Sequence, residues 1–374
     1  MQAAPARLLE EIREEARRAA EKLPWQPIAD SPTVKSYTDW RFFEKLAARG
    51  ADGWRLPPGR WDTVLGPCGS SGHRLVAEPL GQLVRPGDSR LAALHYAALS
   101  PAAVSYLENR GSRVEAALCA PTGGWGSRHV VLRLSGGETL LYIPSGSGGS
   151  TVVEVHVEPG ADAGLAVVTS GAPVAHGLVV AKLVGEGSRL RYASIALGSG
   201  GQTRVEDLNL VASPGGGVNA RALAVGAGPA RIDYIMDSVQ DAERTVFEGA
   251  VEGVALGESL VVARGSARVK QRARRSRSVF EASVLMLGER SRGYTAPMME
   301  IETGDVEEAV HHASQQRAPR TALFYLASRG LSTEEATSLI LEGKLSALAE
   351  GFSLVAERLL TEARRLMAQA AGPS

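Results

Sequence analysis

The sequence has 374 residues with 41 basic and 41 acidic side chains, so its formal net charge at pH 7 is zero. This balance offers no general attraction for nucleic acid or for an anionic membrane surface. An apolar content of 44% with 22% charged residues excludes a disordered or fibrous chain. A chain of this length is expected to form one large element with flanking pieces, or two to three domains.

The first 70 residues are predicted to be a helical region. Apolar residues recur at three- and four-residue steps from Leu8 to Ala19. A proline-containing break follows at Pro24–Pro32, and Thr38 or Asp39 is placed to cap a second helix. The stretch has no signal-peptide core, and no segment approaches the ~20 apolar residues that span a bilayer. We therefore expect a cytoplasmic protein.

Two cysteines, Cys68 and Cys119, occur in the whole sequence. They are too few for a secreted disulfide framework, and by themselves they cannot hold a conventional cluster or zinc ion. One disulfide between them is possible. Without it, Cys119 is interpreted as a small buried apolar residue and Cys68 as part of a flexible loop.

Residues 71–304 hold most of the glycines and alternate apolar with polar residues in short runs, such as Thr151–Val157 and Leu190–Leu197. Alternation with turn residues every eight to twelve positions is typical of all-β structure, and it leaves a sandwich, a barrel or a parallel β-helix open. The absence of a helical interlude and of hairpin turn codes favours the β-helix.

Residues 305–374 are predicted to be a second helical region. Ser332 is an expected N-cap, with Glu335 three residues later completing a capping box. The helix that follows carries an apolar stripe, formed by Leu339, Ile340, Leu345 and Leu348.

A series of short motifs in the last third of the chain resembles the closing segment of SufB and SufD proteins, components of the SUF iron–sulfur cluster assembly system. The matching elements, in order, are Pro297, Glu300-Ile301, Asp305-Val306, His311-His312-Ala313-Ser314, Phe324-Tyr325-Leu326-Ala327-Ser328-Arg329-Gly330 and Glu335-Ala336. Upstream of these motifs the likeness is one of layout and pattern.

The resemblance implies a mainly β fold, a right-handed parallel β-helix core flanked by N-terminal and C-terminal α-helical regions. It also implies a scaffold rather than an enzyme, pairing through its β-helix with a SufB-type paralogue or with a second copy of itself. A SufC-type ATPase is expected to dock on the C-terminal helices. The residues expected to contact it are Phe324, Tyr325, Arg329, Gly330, Leu339 and Ile340. No cofactor is expected to be bound stably by this chain alone.

The resemblance further implies that a transient iron–sulfur cluster is handled at the subunit interface. Ser291 stands where SufB proteins have a cysteine, and a hydroxyl is a poor iron ligand compared with a thiolate. The SufD-type histidine falls on His311, which is expected to bind metal or handle protons at the interface. His312 replaces the usual small residue after it and is the neighbouring candidate. The chain is therefore expected to be SufD-like.

The basic stretch Arg264–Arg277 invites a nucleic-acid interpretation, but no aromatic residue interleaves it to stack on bases. Its near-alternation is typical of the solvent face of a strand ladder, and we expect a contact with an acidic partner surface instead. The five remaining histidines, among them His73 close to Cys68, are scattered in sequence and are not predicted to form a metal site.

Two other functional classes stay open. Parallel β-helices include carbohydrate-active enzymes, but the acids Glu154, Glu158 and Asp207 show no evident cluster in the sequence. The chain could alternatively serve as a stand-alone SufBD homodimer. No P-loop is present, so ATP hydrolysis is expected to come from a partner subunit.

Overall fold

The structure is a computed structural model that describes residues 3–25, 37–69, 80–144, 146–170, 174–183, 185–317 and 328–371. Its core is a parallel β-helix of about seven turns, which confirms the mainly β fold class. In the described residues, five helices flank the core: α1 (Ala3–Lys22), α2 (Trp40–Ala47), α3 (Arg90–Ala97), α4 (Thr333–Ala349) and α5 (Ala356–Ala371).

The strands in the described residues follow one another at regular spacing, and most of them are nine to twelve residues long. They are β1 (Gly53–Arg55), β2 (Thr63–Leu65), β3 (Val104–Leu118), β4 (Ala120–Thr122), β5 (Gly126–Ile143), β6 (Gly149–Val157), β7 (Asp162–Ser170), β8 (Val174–Leu183), β9 (Arg189–Gly198), β10 (Gln202–Val211), β11 (Gly217–Gly226), β12 (Arg231–Gln240), β13 (Val246–Ala255), β14 (Leu260–Val269), β15 (Ser276–Met286), β16 (Arg292–Ile301) and β17 (Val306–Arg317).

From β6 onward, successive strands alternate between two faces of the β-helix. The even face is formed by β6, β8, β10, β12, β14 and β16, and the odd face by β7, β9, β11, β13, β15 and β17, with every neighbouring pair parallel. The long strand β5 belongs to both faces because it bends at Gly136 and Gly137. Gly137 has φ +72°, and a Cβ there would lie 2.2 Å from the Ser112 carbonyl oxygen, so only glycine fits this corner.

The two faces enclose an apolar lumen. Along each strand the side chains alternate, so that residues such as Leu132, Val155 and Leu165 point inward and form one continuous buried cluster. Phe247 and Phe280 fill the lumen in the later turns, with ring centroids 6.5 Å apart. Burying these side chains stabilises the β-helix, and each is worth roughly 1.5–3 kcal/mol relative to exposure.

The outer side of the even face is covered by α1, α2, α3 and residues 80–89, which we call the N-terminal cover. Leu9 and Ala16 of α1 and Tyr96 of α3 pack with Val152 and Val180 of the even strands. The carboxylate of Glu154 fastens this cover, since it accepts backbone hydrogen bonds from three residues of the loop before α3. The donors are Gly81, Gln82 and Leu83, at 3.1, 3.1 and 3.0 Å.

The outer side of the odd face is covered by α4 and α5, which we call the C-terminal cover. The predicted capping box of α4 is confirmed, because the Ser332 hydroxyl accepts from the Glu335 N–H at 3.1 Å and the Glu335 carboxylate accepts from the Ser332 N–H at 2.7 Å. Asp39 likewise accepts from the Arg41 N–H at the start of α2, whereas Thr38 donates to Asp233 instead.

One β-helix carboxylate, Glu138, holds the start of α5. It accepts hydrogen bonds from the backbone N–H groups of Ser353, Leu354 and Val355 at 2.6–3.1 Å and from the Ser353 hydroxyl at 3.2 Å. The side chain is buried beneath the cover. A negative charge at a helix N-terminus is favourable because the free N–H groups and the helix dipole both point toward it.

Two sequence predictions about element type are wrong. Residues 90–97 form α3 within the stretch assigned to strands, and β17 lies within the stretch assigned to helices. The β-helix therefore continues past residue 304 to Arg317. The alternation that marks inner strands is missing in β17 because it is the last strand, and most of its side chains on both sides are solvated.

Cys68 and Cys119 form a disulfide with their Cα atoms 5.7 Å apart, the pairing that the sequence left possible. Cys119 is buried, as interpreted, and its sulfur is bonded to that of Cys68. The bond joins the loop after β2 to the residue between β3 and β4. It therefore ties the first part of the chain to the beginning of the β-helix, at the opposite end from β17.

We expect loss of this disulfide to destabilise the protein. It closes a loop with a sequence separation of 51 residues, and a bridge of this kind typically contributes about 2–4 kcal/mol. Urea unfolding of the wild type with and without reductant measures the effect. The Cys68→Ser variant should have the same free energy of unfolding as the reduced wild type, and reductant should not change it. Equal stability of the oxidised and fully reduced wild type would contradict this prediction.

Candidate functional site

The β-helix ends in two strands, β16 and β17, that each pair with a single neighbour. β16 pairs with β14 and β17 pairs with β15, and their other backbone edges carry no partner strand in the described residues. We call this pair of edges the open end. Unpaired edge strands present rows of N–H and C=O groups to any strand that approaches.

Both candidate histidines lie on β17 at the open end and both are exposed. In the register with β15, His311 is opposite Phe280 and His312 is opposite Glu281. Phe280 is fully buried in the lumen and Glu281 is exposed on the outer side. Since aligned residues of parallel strands point to the same side, His311 lies on the lumen side and His312 on the outer side.

Other lumen-side residues of the last turn lie on the same two strands, β16 and β17. The Gln315 amide donates a 3.0 Å hydrogen bond to the Thr295 hydroxyl, which links β17 to β16 across the end of the lumen. Met299 of β16 packs on the lumen cluster. Large apolar side chains of β16 are exposed at the same end, namely Tyr294, Met298 and Ile301.

Ser291 lies in the turn between β15 and β16, where its buried hydroxyl donates to the Gly288 carbonyl at 2.6 Å. The Arg317 guanidinium, at the end of β17, donates to the carbonyl oxygens of Gly288, Glu289 and Ser291. His311 is six residues before Arg317, so about 20 Å of strand separates it from this turn. Ser291 is therefore a structural turn residue, remote from His311 within one chain.

The residues predicted to contact an ATPase fall into three groups. Phe324 and Tyr325 lie outside the described residues, and Arg329 and Gly330 precede α4. Leu339 is 59% exposed and Ile340 is half-buried. The predicted stripe is divided, because Leu345 and Leu348 pack with Leu341 on the odd face and are buried there.

The basic stretch is neutralised within the chain. Each of its cations pairs with a carboxylate of its own or an adjacent turn: Arg264 with Asp233, Arg268 with Glu300, Lys270 with Glu302, Arg272 with Asp241, Arg274 with Asp305, Arg275 with Glu243, and Arg277 with Glu248 and Glu308. The expected contact with an acidic partner surface therefore loses its basis, because the acids are already supplied by neighbouring strands.

The acids considered for a carbohydrate-active enzyme do not share an accessible site. Glu154 is buried beneath the N-terminal cover, and Asp207 is buried in the lumen, where the Tyr192 hydroxyl donates to it at 2.9 Å. Burial raises the pKa of Asp207 to about 7, against the lowering effect of the hydroxyls of Tyr234 and Tyr192. Glu158 pairs with Arg133 at 3.4 Å.

Sequence reasoning treated His95, His129 and His176 as scattered, but the structure brings them together. They lie in one buried cluster beneath the N-terminal cover, where His95 Nε2 is 3.1 Å from His129 Nδ1. Strand alternation could have placed His129 and His176 on one face. The contribution of His95 depends on α3, which the sequence did not reveal.

Two absences hold for the described part of the chain. It contains no group of three or more His, Cys, Asp or Glu side chains arranged to hold a metal ion. None of its helices is both long enough and apolar enough to cross a membrane.

These features define the class of the protein as a two-faced parallel β-helix with helical covers contributed by both ends of the chain. A family model described as "SUF system FeS cluster assembly, SufBD core domain" matches residues 129–344, more than half of the sequence. The chain belongs to the SufBD family of iron–sulfur cluster assembly proteins.

Curated relatives agree with this assignment. The chain is 33% identical over 114 residues to the SufBD family protein ycf24 of Galdieria sulphuraria, covering 29% of this chain and 51% of the relative. It is 28% identical over 162 residues to the iron–sulfur cluster assembly protein SufD of Bacillus subtilis, covering 43% and 37%. A SufBD family protein of Pyrococcus horikoshii is 34% identical over 94 residues, covering 25% and 20%. The matches thus span about half or less of each relative's length.

Proposed function

We propose that this protein is a SufD-like, non-enzymatic scaffold subunit of a cytoplasmic SUF iron–sulfur cluster assembly complex. The observation that carries the proposal is the open end, where an exposed histidine stands on the lumen side of the last strand while the position of the SufB-type cysteine is a buried serine. The similarity to a protein named SufD supports the same assignment.

The proposed pairing surface is the open end itself. A second β-helix can continue the sheets by adding its own edge strands to β16 and β17, using the main-chain hydrogen bonds of strand addition. The exposed side chains of Tyr294, Met298 and Ile301 supply apolar area at the same place. The partner is a SufB-type paralogue, and a second copy of this chain is the alternative.

A transient cluster is the cargo of this interface rather than a resident cofactor. His311 can offer an imidazole nitrogen to iron, as histidines do in Rieske-type centres. The thiolate ligands have to come from the partner, because both cysteines of this chain are joined in a disulfide at the other end of the β-helix. This requirement favours a heterodimer with a cysteine-bearing subunit over a homodimer.

Anaerobic co-purification with SufB-type and SufC-type chains, followed by iron and sulfide analysis, tests the proposal. We expect a ternary complex that accumulates iron and sulfide, whereas this chain alone binds neither. A stable homodimer that assembles clusters without a SufB-type chain would support the stand-alone alternative. Failure to bind either partner under any condition would contradict both forms of the proposal.

The ATPase is proposed to dock on the outer side of α4, where Leu339 remains exposed. We expect Leu339→Asp to weaken binding of a SufC-type ATPase about tenfold or more, since an exposed apolar anchor at an interface centre typically contributes over 1 kcal/mol. Titration calorimetry or pull-down with purified SufC measures the loss. A point substitution is preferable to truncation, because removing α4 and α5 would expose the apolar residues of the odd face.

Leu354→Asp is the matched control for this prediction, because Leu354 is a 45% exposed leucine in the loop before α5. The control should retain full affinity for the ATPase. Equal losses in the two variants, or no loss in Leu339→Asp, would place the dock elsewhere.

A further inference from the structure

The Cys68–Cys119 disulfide lies at the first turn of the β-helix, and its two sulfurs differ in their access to solvent. Cys119 has no exposed surface, whereas Cys68 is partly exposed. The Cys119 N–H donates to the Leu65 carbonyl at 2.9 Å, which fixes the buried end of the bond. A thiolate arriving from solvent therefore reaches the Cys68 sulfur, and breaking the bond leaves its electron pair on Cys119.

The polar groups beside the two sulfurs suit a reduced pair. The Cys68 N–H points at the Cys119 Sγ from 3.0 Å and would donate to a thiolate at that position. The Cys68 Sγ lies 3.3 Å from the Arg55 carbonyl oxygen. A thiol could donate to this oxygen, whereas a disulfide sulfur has no hydrogen to offer. These contacts indicate a reduced state with a thiolate on Cys119 and a thiol on Cys68.

A buried guanidinium lies beside Cys119. Arg128 of β5 is 3% exposed and donates to the carbonyl oxygens of Cys119 and Pro144 at 3.0 and 2.5 Å. In the described residues no carboxylate pairs with it, and its Nε has no hydrogen-bond partner. Burial lowers the pKa of Arg128 to about 9, which still leaves the guanidinium charged at neutral pH. While the disulfide is intact, Arg128 is therefore a buried cation without a neighbouring anion.

The guanidinium is close enough to act on the Cys119 sulfur. The carbonyl oxygen and the Sγ of one cysteine are less than roughly 5 Å apart, so the Arg128 nitrogen lies within roughly 8 Å of the Cys119 Sγ. Inside a protein, opposite charges at this distance attract strongly enough to shift a pKa by more than one unit. Burial opposes a thiolate. We expect the guanidinium and the Cys68 N–H together to outweigh it, because the thiolate would supply the anion that Arg128 lacks.

The other charged or titratable side chains on the elements around the two cysteines have partners of their own or are exposed. They are Asp62, which accepts from the Glu115 N–H, Glu115, which pairs with Arg113, Tyr142, whose hydroxyl accepts from Arg365, Arg358, which pairs with Glu362, and the exposed Arg55. Arg128 is thus the cation available to a Cys119 thiolate.

We propose that Cys68 and Cys119 are a redox-active pair that exchanges with a dithiol reductant, and that Arg128 holds the leaving sulfur of Cys119 as a thiolate. A thiolate of the reductant attacks the Cys68 Sγ, the S–S bond breaks, and its electron pair passes to the Cys119 Sγ. The second thiol of the reductant then displaces Cys68, which takes up the proton of that thiol. The reductant leaves as its own disulfide, having given two electrons to the protein.

Two single-cysteine variants of the full chain test the assignment of the thiolate and serve as matched controls for each other. Cys68→Ser leaves Cys119, Cys119→Ser leaves Cys68, and both lack the disulfide. Thiolate ultraviolet absorbance is titrated from about pH 5 to about pH 10. Cys119 should ionise at least about one pH unit below the ordinary cysteine pKa, and Cys68 near or above it. The proposal fails if Cys119 ionises at or above the ordinary value, or no lower than Cys68.

The role of Arg128 is tested in the Cys68→Ser variant. Adding Arg128→Met should raise the pKa of Cys119 by about one unit or more, because the thiolate loses its cation. Arg128→Lys keeps the positive charge and should leave the pKa of Cys119 below that of the methionine variant. Equal pKa values of Cys119 with methionine and lysine at position 128 would contradict the role of the charge.

The exchange itself is measured on the wild type, so it stays decisive if the Arg128 variants do not fold. Dithiothreitol should reduce the disulfide of the folded protein at about pH 7. The rate should not change with urea at concentrations below the unfolding transition, because the Cys68 sulfur is reached without unfolding. A rate that rises with urea in parallel with global unfolding would overturn the proposal, since it is the behaviour of a purely structural disulfide.

Discussion

His311→Ala is expected to reduce iron and sulfide bound by the assembled complex sharply, while the β-helix folds normally. The side chain is exposed on the last strand, opposite Phe280 in register. Truncating an exposed residue usually changes stability by less than ~0.5 kcal/mol, so a loss of cluster would report the missing ligand and not misfolding. Anaerobic reconstitution with the SufB-type and SufC-type partners, followed by iron and sulfide assay, measures it.

His312→Ala is the internal control, since His312 lies one position further along β17 but on the outer side. It should leave cluster content close to that of the wild type. A stronger effect of His312→Ala would assign the role to the outer histidine. If neither variant nor the double variant lowers bound iron and sulfide, the proposed ligand role of this strand is wrong.

Glu138→Ala is expected to release α5 from the odd face and to destabilise the C-terminal cover by about 3 kcal/mol, since several hydrogen bonds to a buried charge are lost together. The backbone N–H groups of Ser353, Leu354 and Val355 would lose their acceptor. Hydrogen exchange across α5 and urea unfolding measure the change. Glu258→Ala, which removes an exposed carboxylate paired with Arg290, is the control and should be nearly neutral.

The pH dependence of this contact follows from the same geometry. Burial alone would raise the pKa of Glu138, but the N–H groups of Ser353, Val355 and Leu354 outweigh it and hold the pKa below its ordinary value. The contact therefore stabilises the cover fully at pH values above the ordinary glutamate pKa. Its contribution is lost as the pH falls through the lowered pKa of Glu138 in the folded protein. Glu138→Ala should lack this acid-sensitive component. Unchanged protection of α5 in the variant at neutral pH would contradict the anchoring role.

The sequence by itself determined the element type of strands that have one side in the lumen. Runs such as Thr151–Val157 and Leu190–Leu197 alternate because one side faces the lumen, and both lie in strands, β6 and β9. The capping box of Ser332 and Glu335 was also readable, because it depends on residues three positions apart. The family motifs pointed to the SufBD family, whose core model covers residues 129–344.

The sequence misjudged elements whose surroundings are set by distant parts of the chain. β17 carries no alternation because the β-helix ends there and both of its sides are solvated. Two residues of the α4 stripe, Leu339 and Ile340, were assigned to a partner, whereas Leu345 and Leu348 of the same stripe pack on the odd face of this chain. An apolar pattern shows that a surface is buried, but it does not show whether the covering surface belongs to the same chain or to a partner.

The tertiary structure alone decided which polar groups meet. His95 and His176 are more than eighty residues apart in the numbering, yet the Ser150 hydroxyl lies between them at 3.1 and 2.8 Å. The β-helix brings Ser150 and His176 into register on adjacent turns, and docking of α3 adds His95 from above. Local periodicity could place a histidine on one side of a strand. Only the packing of the N-terminal cover on that side brings the separate histidines into one buried cluster.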